Sequence, residues 1–143
     1  MGLENGFLAK SNRRYLTRAD LPEGLIYPFD TDDEEGIEII YHRKDWGWRD
    51  SIMLEFGWKD VNSYDDEIDT KPYTIDTPAR VFKLIEITAS WLDEEHWEND
   101  GRSIWEYEES ARRHLIQDIS NLAIFYGWML QNPDVYLEFY DSY

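Results

Sequence analysis

His42 and Asp45, three residues apart and flanked by Trp46 and Trp48, are the pair in this chain whose side chains could do acid–base chemistry. An imidazole beside a carboxylate can take up a proton while the acid orients its ring, and Glu55 is a second carboxylate in the same stretch. The neighbours Arg43 and Lys44 favour a plainer role, a histidine in a solvent-facing turn. Asp30, Asp32 and Glu34 alternate oxygen donors like the start of a calcium loop, a pattern that also suits looser cation binding. The EF-hand loop needs glycine at its sixth position and glutamate at its twelfth, where this chain has Glu35 and Tyr41, so that motif is excluded. His96 and His114 have no second histidine one helical turn away, and the chain has no cysteine, so spacing gives no zinc ligand set. Glycine-rich phosphate loops, nucleophile elbows and dinucleotide fingerprints do not occur. The motifs therefore predict no catalytic residue, no metal and no cofactor.

The strongest chemical signal is collective. In 143 residues, 31 Asp and Glu stand against 14 Lys and Arg, a net charge of −17. With 7 Trp, 10 Tyr and 6 Phe and 42% hydrophobic residues, the composition is that of a folded anion rather than an acidic disordered tail. The acids are concentrated in residues 30–35 (DTDDEE), 64–69 (YDDEID) and 93–100 (DEEHWEND), whereas Lys10, Arg13, Arg14 and Arg18 make the first 29 residues slightly basic. Self-repulsion on this scale opposes compaction, so the field is expected to have a use, such as steering toward a basic partner. Strong direct binding of DNA or RNA is disfavoured, because a polyphosphate normally requires a positive face. A membrane role is disfavoured as well: no apolar run approaches the roughly 20 residues that span a bilayer, and an anionic leaflet repels an anion. Cytoplasmic location is the default expectation.

The length suits one α+β domain spanning 1–143, with 1–23 as a partly mobile basic arm. Residues 37–42 place Ile37, Ile39 and Tyr41 on one face. Residues 49–58 alternate Ile52, Leu54, Phe56 and Trp58 against Arg49, Ser51, Met53 and Glu55, so 37–58 reads as an antiparallel hairpin. Residues 25–29 and 73–76 are shorter strand candidates. Thr77 and Pro78 signal a helix start, and Val81, Leu84, Ile85, Thr88 and Leu92 continue at helical spacing toward Trp97. Ser103 and Glu106 have capping-box spacing before a long helix striped by Ile104, Ala111, Leu115, Ile119, Leu122, Tyr126 and Met129. Asn132 and Pro133 suggest a cap for a short C-terminal helix through Phe139. The fold expected is a small antiparallel sheet with two main helices and this short one on one face.

The element order, ending in LAIFYGWMLQNPDVYLEF, resembles the ArdB/KlcA antirestriction proteins over at most the last 70 residues. The amino-terminal helices of that family are not evident in this sequence, and none of its residues is carried over. The resemblance agrees in kind with the charge: both point to a non-enzymatic inhibitor that occupies a basic, nucleic-acid-handling protein by mimicking phosphate. A phage anti-restriction or anti-CRISPR protein and an immunity protein for a nuclease toxin both fit. The expected contacts are Asp30, Asp32, Asp33, Glu34, Glu35, Asp65, Asp66, Glu67, Asp69, Asp93, Glu94 and Glu95, with Trp46, Trp48 and Trp97 as aromatic anchors. The competing expectations are a small enzyme or ligand-binding domain centred on His42, and an acidic subunit of an obligate complex.

Overall fold

In the computed structural model, which describes residues 4–30, 36–43, 45–58, 73–92 and 105–142 (side chains of 105–109 excepted), the first element is a strand. The order is β1 (Glu4–Ser11), a 3₁₀ turn (Arg18–Asp20), β2 (Ile37–Arg43), α1 (Trp46–Phe56), β3 (Tyr73–Ile75), α2 (Pro78–Ser90), α3 (Trp105–Gln131) and β4 (Val135–Ser142). The strands form one antiparallel sheet in the order β2-β1-β4-β3. The α+β class and the small antiparallel sheet expected from the sequence are thus present, and the helices cover one sheet face.

That face carries the apolar residues. Phe7 and Ala9 of β1, Ile75 of β3 and Leu137 and Phe139 of β4 pack with Trp48 and Ile52 of α1, Val81 and Leu84 of α2, and Leu122 and Phe125 of α3. The opposite face is polar: Lys10 pairs with Glu138 at 3.0 Å, and the Tyr140 hydroxyl donates to Glu38. Gly6 is required beneath Tyr140, since a Cβ there would lie 2.1 Å from the Ile40 carbonyl oxygen.

Three of the expected main elements are corrected. Residues 4–11 are an interior strand rather than a mobile arm, because the apolar run Phe7, Leu8 and Ala9 is buried between two neighbours. Residues 46–56 are a helix, so the hairpin over 37–58 does not form. Asp45 caps this helix by accepting from the Trp48 amide at 3.3 Å, and Gly57 ends it with φ of 65°. Burial follows the helical spacing Trp48, Arg49, Ile52 and Met53, while Leu54, an inward residue of the expected strand, is 84% exposed. Gly47 lets α1 approach Trp91, whose ring would lie 2.3 Å from an added Cβ.

The third correction is at the carboxyl terminus, where 135–142 form β4 instead of a short helix. Val135, Leu137 and Phe139 are buried in strict alternation, a period that a helix cannot bury on one face. Asn132 closes α3, its side-chain amide donating to the Trp128 carbonyl at 3.0 Å, and Pro133 follows as a stop. Residues 25–29 form no strand. Strand 73–75 and the Thr77 cap stand as expected, the Thr77 hydroxyl accepting from the Arg80 amide at 3.3 Å. The second helix ends at Ser90, short of the expected Trp97, and the Ser103 cap lies outside the described residues. In the long helix, Leu115, Leu122, Phe125 and Met129 are buried, and Leu130 is 60% exposed.

Candidate functional site: a buried cluster around His42

The position of His42 follows from an irregularity in β2. Leu8 pairs with Glu38 and Phe7 with Ile40, leaving Ile39 as an extra residue opposite β1. Simple alternation from Ile37 would turn His42 outward. The bulge restarts the alternation, so Ile40 and His42 face the helices and Tyr41 faces away. His42 is 4% exposed, its ring stacked on the Trp48 indole at 3.9 Å and 12°. The expected turn histidine is a core histidine.

Carboxylates hold both ring nitrogens. Nδ1 lies 2.9 Å from Asp45 Oδ2 and Nε2 lies 2.5 Å from Asp118 Oδ2. A neutral ring would turn a lone pair toward one of these anions, so the arrangement calls for an imidazolium that donates to both. Burial opposes the charge, but the hydrogen bonds and negative charges of Asp118 and Asp45 outweigh it and hold the His42 pKa up at about 9. Asp45 serves twice, since its other oxygen caps α1. Asp118 is 3% exposed on the core stripe of α3, between Leu115 and Leu122. His114, one turn earlier, donates from Nε2 to the Tyr41 carbonyl at 2.6 Å and places that nitrogen 4.0 Å from Asp118.

The polar row continues across the sheet. Asn5 is paired in register with His42 on one side and Asp141 on the other. Arg49, reaching back from α1, donates to Asp141 Oδ2 from Nε at 3.0 Å and Nη2 at 2.7 Å, and to Asp50 at 2.8 Å. Asn5 is fully buried, and its amide nitrogen and oxygen have no hydrogen-bond partner among the described residues. Asn121, one turn after Asp118, bonds the Ile26 amide and the carbonyls of Ile26 and Ile39, fixing the bulge to α3.

A general base needs a free nitrogen within reach of a substrate, and His42 has neither a free nitrogen nor exposure. Glu55 does not join it: it is exposed on α1, 3.1 Å from Lys83. A groove of about 700 Å³ lies elsewhere, lined by Lys10, Asn12, Arg13, Arg14, Tyr15 and Tyr136 among others.

Of the expected contact residues, Asp30 is exposed and Trp46 is 44% exposed at the start of α1. Trp48 is corrected: at 0% exposure, with its indole nitrogen donating to Thr88 at 3.2 Å, it is a core residue that no partner can touch. Asp32, Asp33, Glu34, Glu35, Asp65, Asp66, Glu67, Asp69, Asp93, Glu94, Glu95, His96 and Trp97 lie outside the described residues, as does the side chain of Glu106. The residues that sequence reasoning missed are Asp118, Arg49, Asp141 and Asn5. A signal existed for Asp118, a carboxylate on an apolar stripe, one helical turn from a histidine.

Comparison with family models, with curated proteins and with solved structures finds no match. Among the described residues, no helix is long and apolar enough to cross a membrane.

Proposed function

We propose that this chain is a non-enzymatic acidic antagonist that occupies a basic, nucleic-acid-handling protein by presenting carboxylates in place of phosphates. The observation that carries the reading is the net charge of −17 on a domain with a packed core. Internal pairing adds support. Lys10 is engaged by Glu138, Arg14 by Asp20, Arg49 by Asp50 and Asp141, and Lys83 by Glu55, so these four cations face the chain's own acids. The surplus is negative and is available to steer a positive partner at long range.

Action by binding is favoured over catalysis because the one histidine with a base-like setting is enclosed between two carboxylates. The partner class is a nuclease or another protein with a basic nucleic-acid groove. A phage-encoded inhibitor of restriction or CRISPR machinery and an immunity protein for a nuclease toxin use the same chemistry.

The test is capture with the tagged chain from lysate of its host, followed by competition. The expected partner is basic and nucleic-acid-binding, and it is released by an excess of an oligonucleotide that it binds. A partner that stays bound while its groove is filled with nucleic acid would contradict the mimicry.

A further inference from the structure

We propose that His42, His114 and Asp118 form a binding site for one divalent transition-metal ion, best matched by Zn²⁺, with Asp45 as the carboxylate that orients His42. The inference stands apart from the antagonist reading.

Two structural elements bring the donors together. His114 and Asp118 are four residues apart on α3, a spacing that places both side chains on one helix face, and β2 supplies His42 opposite them. One donor atom from each of the three residues lies within 4.8 Å of the others. A tetrahedral ion with bonds of about 2.0 Å needs neighbouring donors about 3.3 Å apart. The His42 Nε2 to Asp118 distance of 2.5 Å and the His114 Nε2 to Asp118 distance of 4.0 Å bracket that value. The third pair, His42 with His114, lies within 4.8 Å, so side-chain shifts of about 1 to 1.5 Å bring all three donors to it.

The surroundings fit the ion as well. Metal-bound histidines usually donate their second nitrogen to a carboxylate, and Asp45 stands 2.9 Å from His42 Nδ1 in that role. Two nitrogens and one carboxylate oxygen, without thiolate, match Zn²⁺ better than Ca²⁺ or Mg²⁺, which prefer all-oxygen shells. Charge favours it too: Asp45 and Asp118 together balance a dication. The His114 side chain is 42% exposed and gives the ion a way in from solvent. Asn5, in register with His42, has a buried amide without a hydrogen-bond partner among the described residues, a polar group beside the site that could be satisfied by a metal-bound water.

Binding exchanges bonds without net chemistry. The ion displaces the proton on His42 Nε2, which leaves to solvent, while Nδ1–H stays on Asp45. His114 gives up its bond to the Tyr41 carbonyl, moves its ring proton from Nε2 to Nδ1, and coordinates through Nε2.

The experiment uses the full chain, stripped with chelator and desalted, and titrated with ZnCl₂ and separately with CoCl₂. The expected result is one tightly held Zn²⁺ per chain, a rise in Tm of about 5 °C at saturation, and visible Co²⁺ absorption bands of tetrahedral type. In H114A the Tm rise and the Co²⁺ bands should disappear, and in D45N the affinity should fall about 10- to 100-fold with the stoichiometry kept. His114 is the half-exposed ligand, so H114A decides the matter if D118N fails to fold. No tight equivalent in the native chain, or an unchanged Tm rise and spectrum in H114A, overturns the site.

Discussion

Asp118 and Asp30 are the same amino acid placed in opposite surroundings. Asp118 is 3% exposed, 2.5 Å from His42 Nε2, and belongs with Asp45 and Asp141 to a set of acids that hold α1 and α3 onto the sheet. Asp30 stands exposed, at the start of the acidic run 30–35. In this pair, net charge and fold chemistry are carried by separate acids. Those with cationic partners inside the core set the structure, and those left over at the surface produce the field. An acidic protein can therefore lose much of its surface charge and keep its fold, but it cannot lose one buried carboxylate cheaply.

The largest effect should come from breaking the buried set. D118A leaves the His42 imidazolium without its closer counter-charge, and H42A leaves the buried Asp118 and the part-buried Asp45 carboxylates without the cation between them. Removal of one partner from a buried ion pair typically costs about 3–5 kcal/mol. Urea denaturation should register either loss, and a change below about 1 kcal/mol would show that the cluster is not holding the fold. This reverses what an exposed turn histidine would give, where H42A should be nearly silent.

Next in size is the dependence on pH. The His42 pKa is raised in the folded chain to about 9, so its contribution is complete below the ordinary histidine value near 6.5 and is lost as pH rises through 9. The decline should amount to about 3 kcal/mol. Measured by urea midpoint from pH 6 to pH 10, it should vanish in a variant whose His42 is replaced and that still folds.

Exposed pairs should behave differently. Lys83 and Glu55 are 3.1 Å apart with side chains 43% and 44% exposed, a setting in which ion pairs contribute little. K83A should change stability by no more than about 0.5 kcal/mol. The smallest effect on folding belongs to the acidic run: replacing Asp30, Asp32, Asp33, Glu34 and Glu35 by their amides should leave the Tm within a few degrees while slowing capture of the partner. Unchanged capture by a folded variant would assign the binding field to other acids.

The sequence was most legible where burial and local signals agree. Thr77 and Pro78 marked a helix start, and the spacing Leu115, Leu122, Met129 marked the buried stripe of α3. It was least legible where one residue changes the parity. The bulge at Ile39 turns His42 inward, and it depends on Asn121, 82 residues away, taking the Ile39 carbonyl. Alternation of Ile52, Leu54 and Phe56 concealed α1, although Asp45 and Gly57 were its caps. In the last eight described residues the reverse happened, as the cap-like Asn132 and Pro133 outweighed the alternation of Val135, Leu137 and Phe139. The cluster itself joins β1, β2, α1, α3 and β4, so most of its members could be assembled only by the tertiary fold.

The proposed role of the surplus charge is to bring a basic partner in. Its most direct test is the association rate of the chain with its captured partner, measured by stopped flow from about 10 to about 500 mM salt, a range over which the screening length falls from about 30 Å to a few ångström. The association rate is expected to fall steeply, by tenfold or more, with a smaller change in dissociation rate. An association rate that stays flat across this range would contradict it.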